Sequence, residues 1–360
     1  MKKKIAYVIY DINKIGGAEK ISTFTANKLC EWFDVSIISI NSINNCPYVL
    51  DDRISLKSMD LNFDRMFKNC FNGFFTLKKI LKKEKIDTLL LVGTNTSLLS
   101  ILTLFTKHCK IIFCDHESLK ATLDDKKSTI VRKISLKFSS LVVALTKKNM
   151  DDYVTYLKAN KNKLTYIYNP IDISSLKKYK SNYCPNNKLV TVGRLSKEKG
   201  LDILIEVAKE LKKINNNWQW DIWGDGDLYQ DVLMKIQENN LEDKIFLKGN
   251  NPNVIQEYKN YGIYVLTSYR EGLPLVLLEA KANEIPIVSF DIDTGPNEIV
   301  RNNINGFLIN AFDVKDMAYK INMLLTDLHL CESFSKNAYL DIEKFSVDNI
   351  LKQWVEIINN

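Results

Sequence analysis

The stretch Tyr264-Val265-Leu266-Thr267-Ser268-Tyr269-Arg270-Glu271-Gly272-Leu273-Pro274-Leu275-Val276-Leu277-Leu278-Glu279-Ala280 sets the frame for the rest of the chain. Tyr264 to Ser268 reads as a strand, Arg270 to Pro274 as a break, and Leu275 to Ala280 as the first turns of a helix. Pro274 suits a first helical position, where its missing N–H would be unpaired in any case. Gly272 lets the backbone turn sharply or come close to a ligand. A helix N-terminus aimed out of a strand end is a ready anion site. Glu279 places a carboxylate in an otherwise apolar helical segment, and such a group is costly to bury without a partner. That partner is either a structural Arg or Lys or the hydroxyl pair of a ligand.

Glu271 and Glu279, within the run REGLPLVLLEA, resemble the paired-glutamate motif of the retaining glycosyltransferases of family 4. A second block, Ser289-Phe290-Asp291 to Thr294-Gly295-Pro296-Asn297-Glu298-Ile299, is followed by Asn305-Gly306-Phe307. It is similar to the segment downstream of the glutamate pair in that family. The pair alone arises easily by chance. EGLP, TGPNEI and NGF in this order are far more specific.

Upstream of this stretch, Lys188 to Val192 is strand-like and runs into Gly193-Arg194-Leu195-Ser196-Lys197-Glu198-Lys199-Gly200, with an amphipathic helix over Leu201 to Ile214. Two cations thus flank a loop between a strand end and a helix start. Arg194 supplies a planar fork and Lys199 a mobile point charge, a sound arrangement for a diphosphate. The loop also matches the donor-phosphate loop of the family closely. Trp218 to Trp223 is the next strand, closed by Gly224-Asp225-Gly226-Asp227, and Lys244 to Gly249 another. Asp225 with Asp227, and Asp291 with Asp293, are too few carboxylates to identify a cation site, so no metal is expected. The loop Asn250 to Val254, with Asn253 and Val254 at its end, is placed to meet a nucleotide base through backbone groups.

The first half alternates in the same way. Strand-like runs lie at Lys4 to Tyr10, Val35 to Ile40, Lys110 to Cys114, Leu141 to Leu145 and Tyr166 to Tyr168, with a helix over Ala18 to Phe33. Such alternation predicts an α/β chain with parallel, doubly wound sheets, and ligands on these collect at the carboxyl ends of strands. Gly16-Gly17 and His116 stand at two such ends. By itself the first is only a Gly-Gly pair, and the second is as well explained by capping a strand end. From Ile171 to Asn187 the periodicity is lost, as in an interdomain linker.

With 360 residues the chain is long enough for two domains, each with its own core. Seven scattered cysteines with no CxxC pair argue against a disulfide framework or zinc site and for a reducing compartment. The start MKKKIAYVIYD has too short an apolar run for a signal peptide. The most hydrophobic window, Leu89 to Phe105, is broken by Gly93 to Ser97, so strand, loop and helix are expected there, not a membrane span. The net charge of +7 divides into +12 over residues 1–170 and −5 over 171–360, which predicts an anionic partner for the first half. Residues 66–85 form a basic helix with aromatic residues at helical spacing, fit for an anionic membrane surface or simply for covering its own sheet. Lys126, Lys127, Arg132, Lys133 and Lys137, within residues 126–137, are expected to extend the same surface.

The resemblance spans nearly the whole chain and implies the GT-B fold: two Rossmann-like, doubly wound domains facing a cleft. Residues 1–170 would bind the acceptor and face the membrane, rejoined by a crossover helix at about 346–360. Residues 171–345 would hold a nucleotide sugar. By the same resemblance Glu279 binds the donor ribose, Arg194 and Lys199 the diphosphate, and Glu271 with Gly272-Leu273-Pro274 the sugar. His116 and Gly16-Gly17 complete the site. It further implies retention without a metal or other cofactor, a UDP-hexose or UDP-N-acetylhexosamine donor, and a polyprenyl-diphosphate-linked saccharide acceptor at the inner face of the cytoplasmic membrane. Enzymes of this kind build O-antigen, capsule and other lipid-linked oligosaccharides. Two alternatives are a UDP-N-acetylglucosamine 2-epimerase-like enzyme, which needs no acceptor, and a polyanion-binding protein. The lysines show none of the patterns of nucleic-acid readers.

Overall fold

The computed structural model describes residues 2–61, 70–106, 108–173 and 183–360, apart from the side chains of Cys70 and Phe71. The chain divides into two compact units, Met1–Pro170 with Val347–Asn360, and Ile171–Ser346.

The first unit runs β1 (Lys4–Ile9), α1 (Gly17–Leu29), β2 (Asp34–Ser39), β3 (Ser55–Ser58), α2 (Cys70–Glu84), β4 (Thr88–Val92), β5 (Lys110–Asp115), α3 (Lys126–Phe138), β6 (Leu141–Ala144), α4 (Lys147–Leu157) and β7 (Leu164–Tyr166). Its seven strands are ordered β3-β2-β1-β4-β5-β6-β7, each pair parallel. The central strands are buried along almost their whole length, which is why they read as continuous apolar runs and not as alternating ones. The order reverses between β1 and β4, and a doubly wound sheet opens a ligand crevice outside the carboxyl ends at such a reversal.

Three local readings differ from the sequence expectation. The strand expected at Tyr166 to Tyr168 begins two residues earlier, because Leu164 pairs with Val142 and packs into the core. Strand β3, SLKS, carries no β-branched residue, and as an edge strand it needs none. After β4 the expected helix is wound as a 3₁₀ helix over Thr94–Leu104. Hydroxyls there bond back to the backbone, Thr96 to the carbonyl of Val92 (3.0 Å) and Ser97 to that of Thr94 (2.6 Å), and such bonds compete with regular α geometry.

Within α2, Leu77 and Leu81 are buried in the first unit's core while Lys79, Lys82 and Lys83 are exposed. The helix therefore covers its own sheet. Phe75 on the outward side is 62% exposed. Residues 66–69 of the expected basic helix lie outside the described residues.

The second unit runs β8 (Lys188–Val192), α5 (Leu201–Ile214), β9 (Gln219–Trp223), α6 (Tyr229–Glu238), β10 (Ile245–Gly249), β11 (Ile263–Leu266), α7 (Leu275–Ala282), β12 (Ile287–Asp291), α8 (Pro296–Ile299), β13 (Gly306–Asn310), α9 (Val314–Thr326) and α10 (Leu328–Lys336). Its parallel sheet is ordered β10-β9-β8-β11-β12-β13, reversing between β8 and β11. Trp218, Trp220, Leu204, Leu211, Val265 and Phe290 anchor one core beneath it. The buried Trp220 indole donates to Thr191 Oγ1 (3.0 Å), whose own hydroxyl donates to the Val265 carbonyl (2.7 Å). These bonds fix the two strands at the reversal against each other.

The last helix, α11 (Val347–Asn359), returns to the first unit. Lys3 donates to the carbonyls of Ile358 (3.3 Å) and Asn359 (2.9 Å), and Lys110 to that of Ile357 (2.5 Å). Cations at a helix C-terminus satisfy its orphan carbonyls and suit the negative end of its dipole. Among the described residues no helix is long and apolar enough to cross a membrane.

Candidate active site

In the second unit the loops leaving β8 and β11, the two strands at the reversal, close onto each other. Tyr269 N–H donates to the carbonyl of Glu198 (2.8 Å), and Thr267 Oγ1 to that of Lys199 (3.1 Å). Gly200 ends the first loop at φ +60°, caps α5, and lies directly against the Thr267 carbonyl, where a Cβ would collide with backbone. Both the left-handed conformation and the close approach require glycine. Gly200→Ala is expected to cost about 2 kcal/mol or more, lowering the melting temperature by about 4 °C or more. A calorimetric scan checks this, and an unchanged melting point contradicts the loop packing.

Loop closure brings Lys199 to Glu271. Their Nζ and Oε1 are 2.7 Å apart and both side chains are largely buried. Ser268 Oγ donates to the same oxygen (2.7 Å), and Thr294 Oγ1 donates to the Glu271 backbone carbonyl (2.8 Å). An ammonium has three N–H donors, so Lys199 can hold Glu271 and still meet an anion. Arg194 is exposed on the same loop. The second sequence block is locked onto the first by Gly295. At φ +102° it leaves room for Pro274, whose Cδ would lie 2.7 Å from an added Cβ, and for the Gly272 carbonyl at 3.0 Å.

Pro274 is the N-cap of α7, not its first helical residue. Its ψ of 108° is extended, and its carbonyl accepts from Leu277 N–H (3.1 Å), the part an N-cap plays. Glu279 follows on α7, partly exposed, and Tyr258 donates to its Oε2 at 3.4 Å. Tyr258 is buried and stacks on Tyr264, with centroids 5.9 Å apart and planes 6° from parallel. Burial, with Tyr264 and Glu279 alongside, raises the Tyr258 pKa well above that of a free phenol, so it stays a donor. Asn253 caps the 3₁₀ turn Val254–Gln256, and Tyr258 opens the next, Tyr258–Asn260. Tyr258 thus reaches the expected ribose carboxylate from the turn that follows the expected base loop in sequence. Nothing in the sequence pattern marked Tyr258, Ser268 or Tyr264; Thr294 belongs to the TGPNEI block.

In the first unit the expected residues lie at the carboxyl edge of the sheet. Gly16 is the N-cap of α1 and its N–H donates to the Tyr48 hydroxyl (3.0 Å), a partner the sequence did not point to. Gly17 has open space where a Cβ would stand. His116 follows β5, half-buried in a small hollow with Ile21, Leu145, Tyr168 and Trp354. Burial lowers its pKa to about 4, although Asp115 pulls the other way, so the imidazole is neutral at pH 7.

Arg132 does not join the basic surface expected over residues 126–137. Its side chain is fully buried, as is that of Asp115, with Nε 2.8 Å from Asp115 Oδ2. Tyr153 donates to that same oxygen (2.6 Å) and Arg132 Nη1 to Thr122 Oγ1 (2.7 Å). The reason is periodicity: Val131, Arg132 and Ser135 form the inward face of α3, and Lys126, Lys127, Lys133 and Lys137 the outward one.

Two family models match the chain. "Glycosyltransferase Family 4" matches residues 15–175 and "Glycosyl transferases group 1" residues 175–341. The chain belongs to the family 4 glycosyltransferases. A relative named only as an uncharacterized glycosyltransferase of Haemophilus influenzae is 29% identical over 357 residues, covering 99% of this chain and all of that one. An α-1,4-N-acetyl-D-galactosaminyltransferase of Campylobacter jejuni, whose name gives GalNAc-GalNAc-diNAcBac-PP-undecaprenol, is 26% identical over 99% of this chain and 98% of its own. Among solved structures, Anabaena HepE in complex with UDP and glucose superposes with a TM-score of 0.82 at 18% identity, covering 99% of this chain and all of that one. The two parallel sheets are thus those of a GT-B glycosyltransferase.

For this glycosyltransferase, then, the second unit joins Lys199 to Glu271, runs through Gly272, Leu273 and Pro274 into α7, and sets Tyr258, in the turn after Asn253 and Val254, against Glu279. The first unit holds Gly16, Gly17 and His116 on one sheet edge.

Proposed function

We propose that this glycosyltransferase moves a hexose or N-acetylhexosamine from a UDP-sugar, with retention, onto a saccharide carried on polyprenyl diphosphate, in bacterial surface-polysaccharide synthesis. The observation that carries the reading is the Lys199–Glu271 pair, held by two interlocked loops at the second sheet's reversal. As the sugar leaves, negative charge develops on the diphosphate. Lys199, ordered by Glu271, and the exposed Arg194 stand on the loop that leads into the N-terminus of α5, where they would meet it, and a charge held in place before reaction needs little rearrangement during it. Glu279, an acceptor-only carboxylate when ionised, suits the paired hydroxyls of a ribose. The neutral His116 imidazole can share a hydrogen bond with the transferred sugar without adding a charge. The Campylobacter relative, named for an undecaprenyl-diphosphate saccharide, supports the choice of acceptor class.

The test is a donor screen that follows UDP or GDP release with a polyprenyl-diphosphate sugar as acceptor. Release from one UDP-sugar, dependent on the acceptor and unchanged by EDTA, is expected. A strict Mn²⁺ or Mg²⁺ requirement contradicts the metal-free part. An epimer formed from UDP-N-acetylglucosamine alone replaces the proposal with the epimerase reading.

The acceptor class implies work at a membrane surface, and the outward face of α2, with Phe75, Lys79, Lys82 and Lys83, supports an anionic one. Each lysine near such a surface contributes about 1 kcal/mol. Lys78, Lys79, Lys82 and Lys83 changed together to Glu are therefore expected to abolish sedimentation with phosphatidylserine liposomes. Equal sedimentation returns the helix to covering its sheet and nothing more.

A further inference from the structure

Arg132 divides its guanidinium between two carboxylates of different exposure. Asp115 is fully buried, whereas Glu117, two residues on, has a side chain 51% exposed, its Oε2 lying 3.2 Å from Arg132 Nη2. Thr94 Oγ1, just past the end of β4, donates to that oxygen as well (3.4 Å). The Glu117 backbone is pinned on both sides: its N–H donates to Asp115 Oδ1 (3.2 Å) and its carbonyl accepts from the buried Asn149 amide (2.9 Å). This is unusual care for a half-exposed surface carboxylate. Asp115 already balances the charge of the buried guanidinium, so Glu117 is a second carboxylate for which charge balance alone gives no reason. Glu117 is also next to His116 on the carboxyl edge, beside the end of β4 that carries Gly93.

We infer that Glu117 is a specificity residue for the receiving sugar, accepting hydrogen bonds from its hydroxyls. The buried guanidinium favours the ionised carboxylate, and that form can only accept hydrogen bonds. It suits a neutral polyhydroxyl group and repels phosphate, so it selects the saccharide end of a lipid-linked acceptor over the diphosphate end. Arg132, buried and fixed by Asp115, Tyr153 and Thr122, is the positioning residue behind it.

This rests on the glycosyltransfer reading above, and the test separates the two. Steady-state kinetics are measured for Glu117→Gln and Glu117→Ala with the UDP-sugar and the polyprenyl-diphosphate sugar that the wild-type protein turns over, each varied in turn. Both variants are expected to raise the acceptor KM at least tenfold. The donor KM should stay within threefold, and the melting temperature within 2 °C. An acceptor KM within threefold of wild type overturns the inference, as does a parallel loss of donor and acceptor constants or a collapse in melting temperature. If the wild-type protein releases UDP from no UDP-sugar at all, the transfer reading itself fails, and this inference with it.

Discussion

Lys199→Ala is expected to lower turnover by about 10²–10³-fold, the loss found when one fixed donor to a developing anion is removed, while the protein still folds. Lys199 sits where two loops meet, and its ammonium is already ordered by Glu271 at 2.7 Å. That ordering matters, because a free lysine loses much side-chain entropy on being fixed and here most of the loss occurs on folding. Removing the ammonium leaves Glu271 with Ser268 as a remaining donor, so the loop should hold its shape. Lys199→Arg keeps the charge but not the compact geometry and should fall between wild type and alanine. UDP titration should show weaker binding for alanine; turnover and UDP affinity both within threefold of wild type would remove Lys199 from the diphosphate.

Glu279→Gln carries the second large effect. A hydrogen bond to a charged group contributes about 1.5–3 kcal/mol, so loss of the carboxylate should weaken UDP binding by roughly tenfold to 150-fold. Glu279 is partly exposed on α7 and Tyr258 reaches it at the long distance of 3.4 Å, so the glutamine should change the melting point little. The contrast between lost binding and retained stability is the diagnostic. A variant that melts much lower while binding UDP as before would make Glu279 a structural residue.

Much of the architecture was legible because parallel strands buried on both faces leave an unmistakable mark. Runs such as Ile5 to Ile9 and Ile263 to Leu266 are apolar throughout, and the helices between them leave few arrangements other than doubly wound sheets. Polar segments were harder. Strand β3 is written SLKS and holds its place only through its neighbour β2, a tertiary effect no local pattern carries. Arg132 looked like part of a basic stripe because lysines surround it in sequence, yet the helical period turns it toward Asp115.

At the site, resemblance assigned Lys199 and Glu271 to different parts of the donor. Their contact joins residues 72 positions apart, and only the loop closure across the strand reversal reveals it. Tyr258 was invisible for the same reason: a tyrosine in a polar loop has no signature until Tyr264 stacks on it and Glu279 comes within reach. Residue type and order identify the family; the partners that orient each group come from the fold.

The most direct measurement is a crystal structure of the protein soaked with UDP. The diphosphate should lie within hydrogen-bonding distance of Lys199 and Arg194, with the ribose hydroxyls on Glu279 and the base against Asn253 and Val254. Nucleotide bound anywhere else, with those side chains untouched, would contradict the donor site proposed for the second unit.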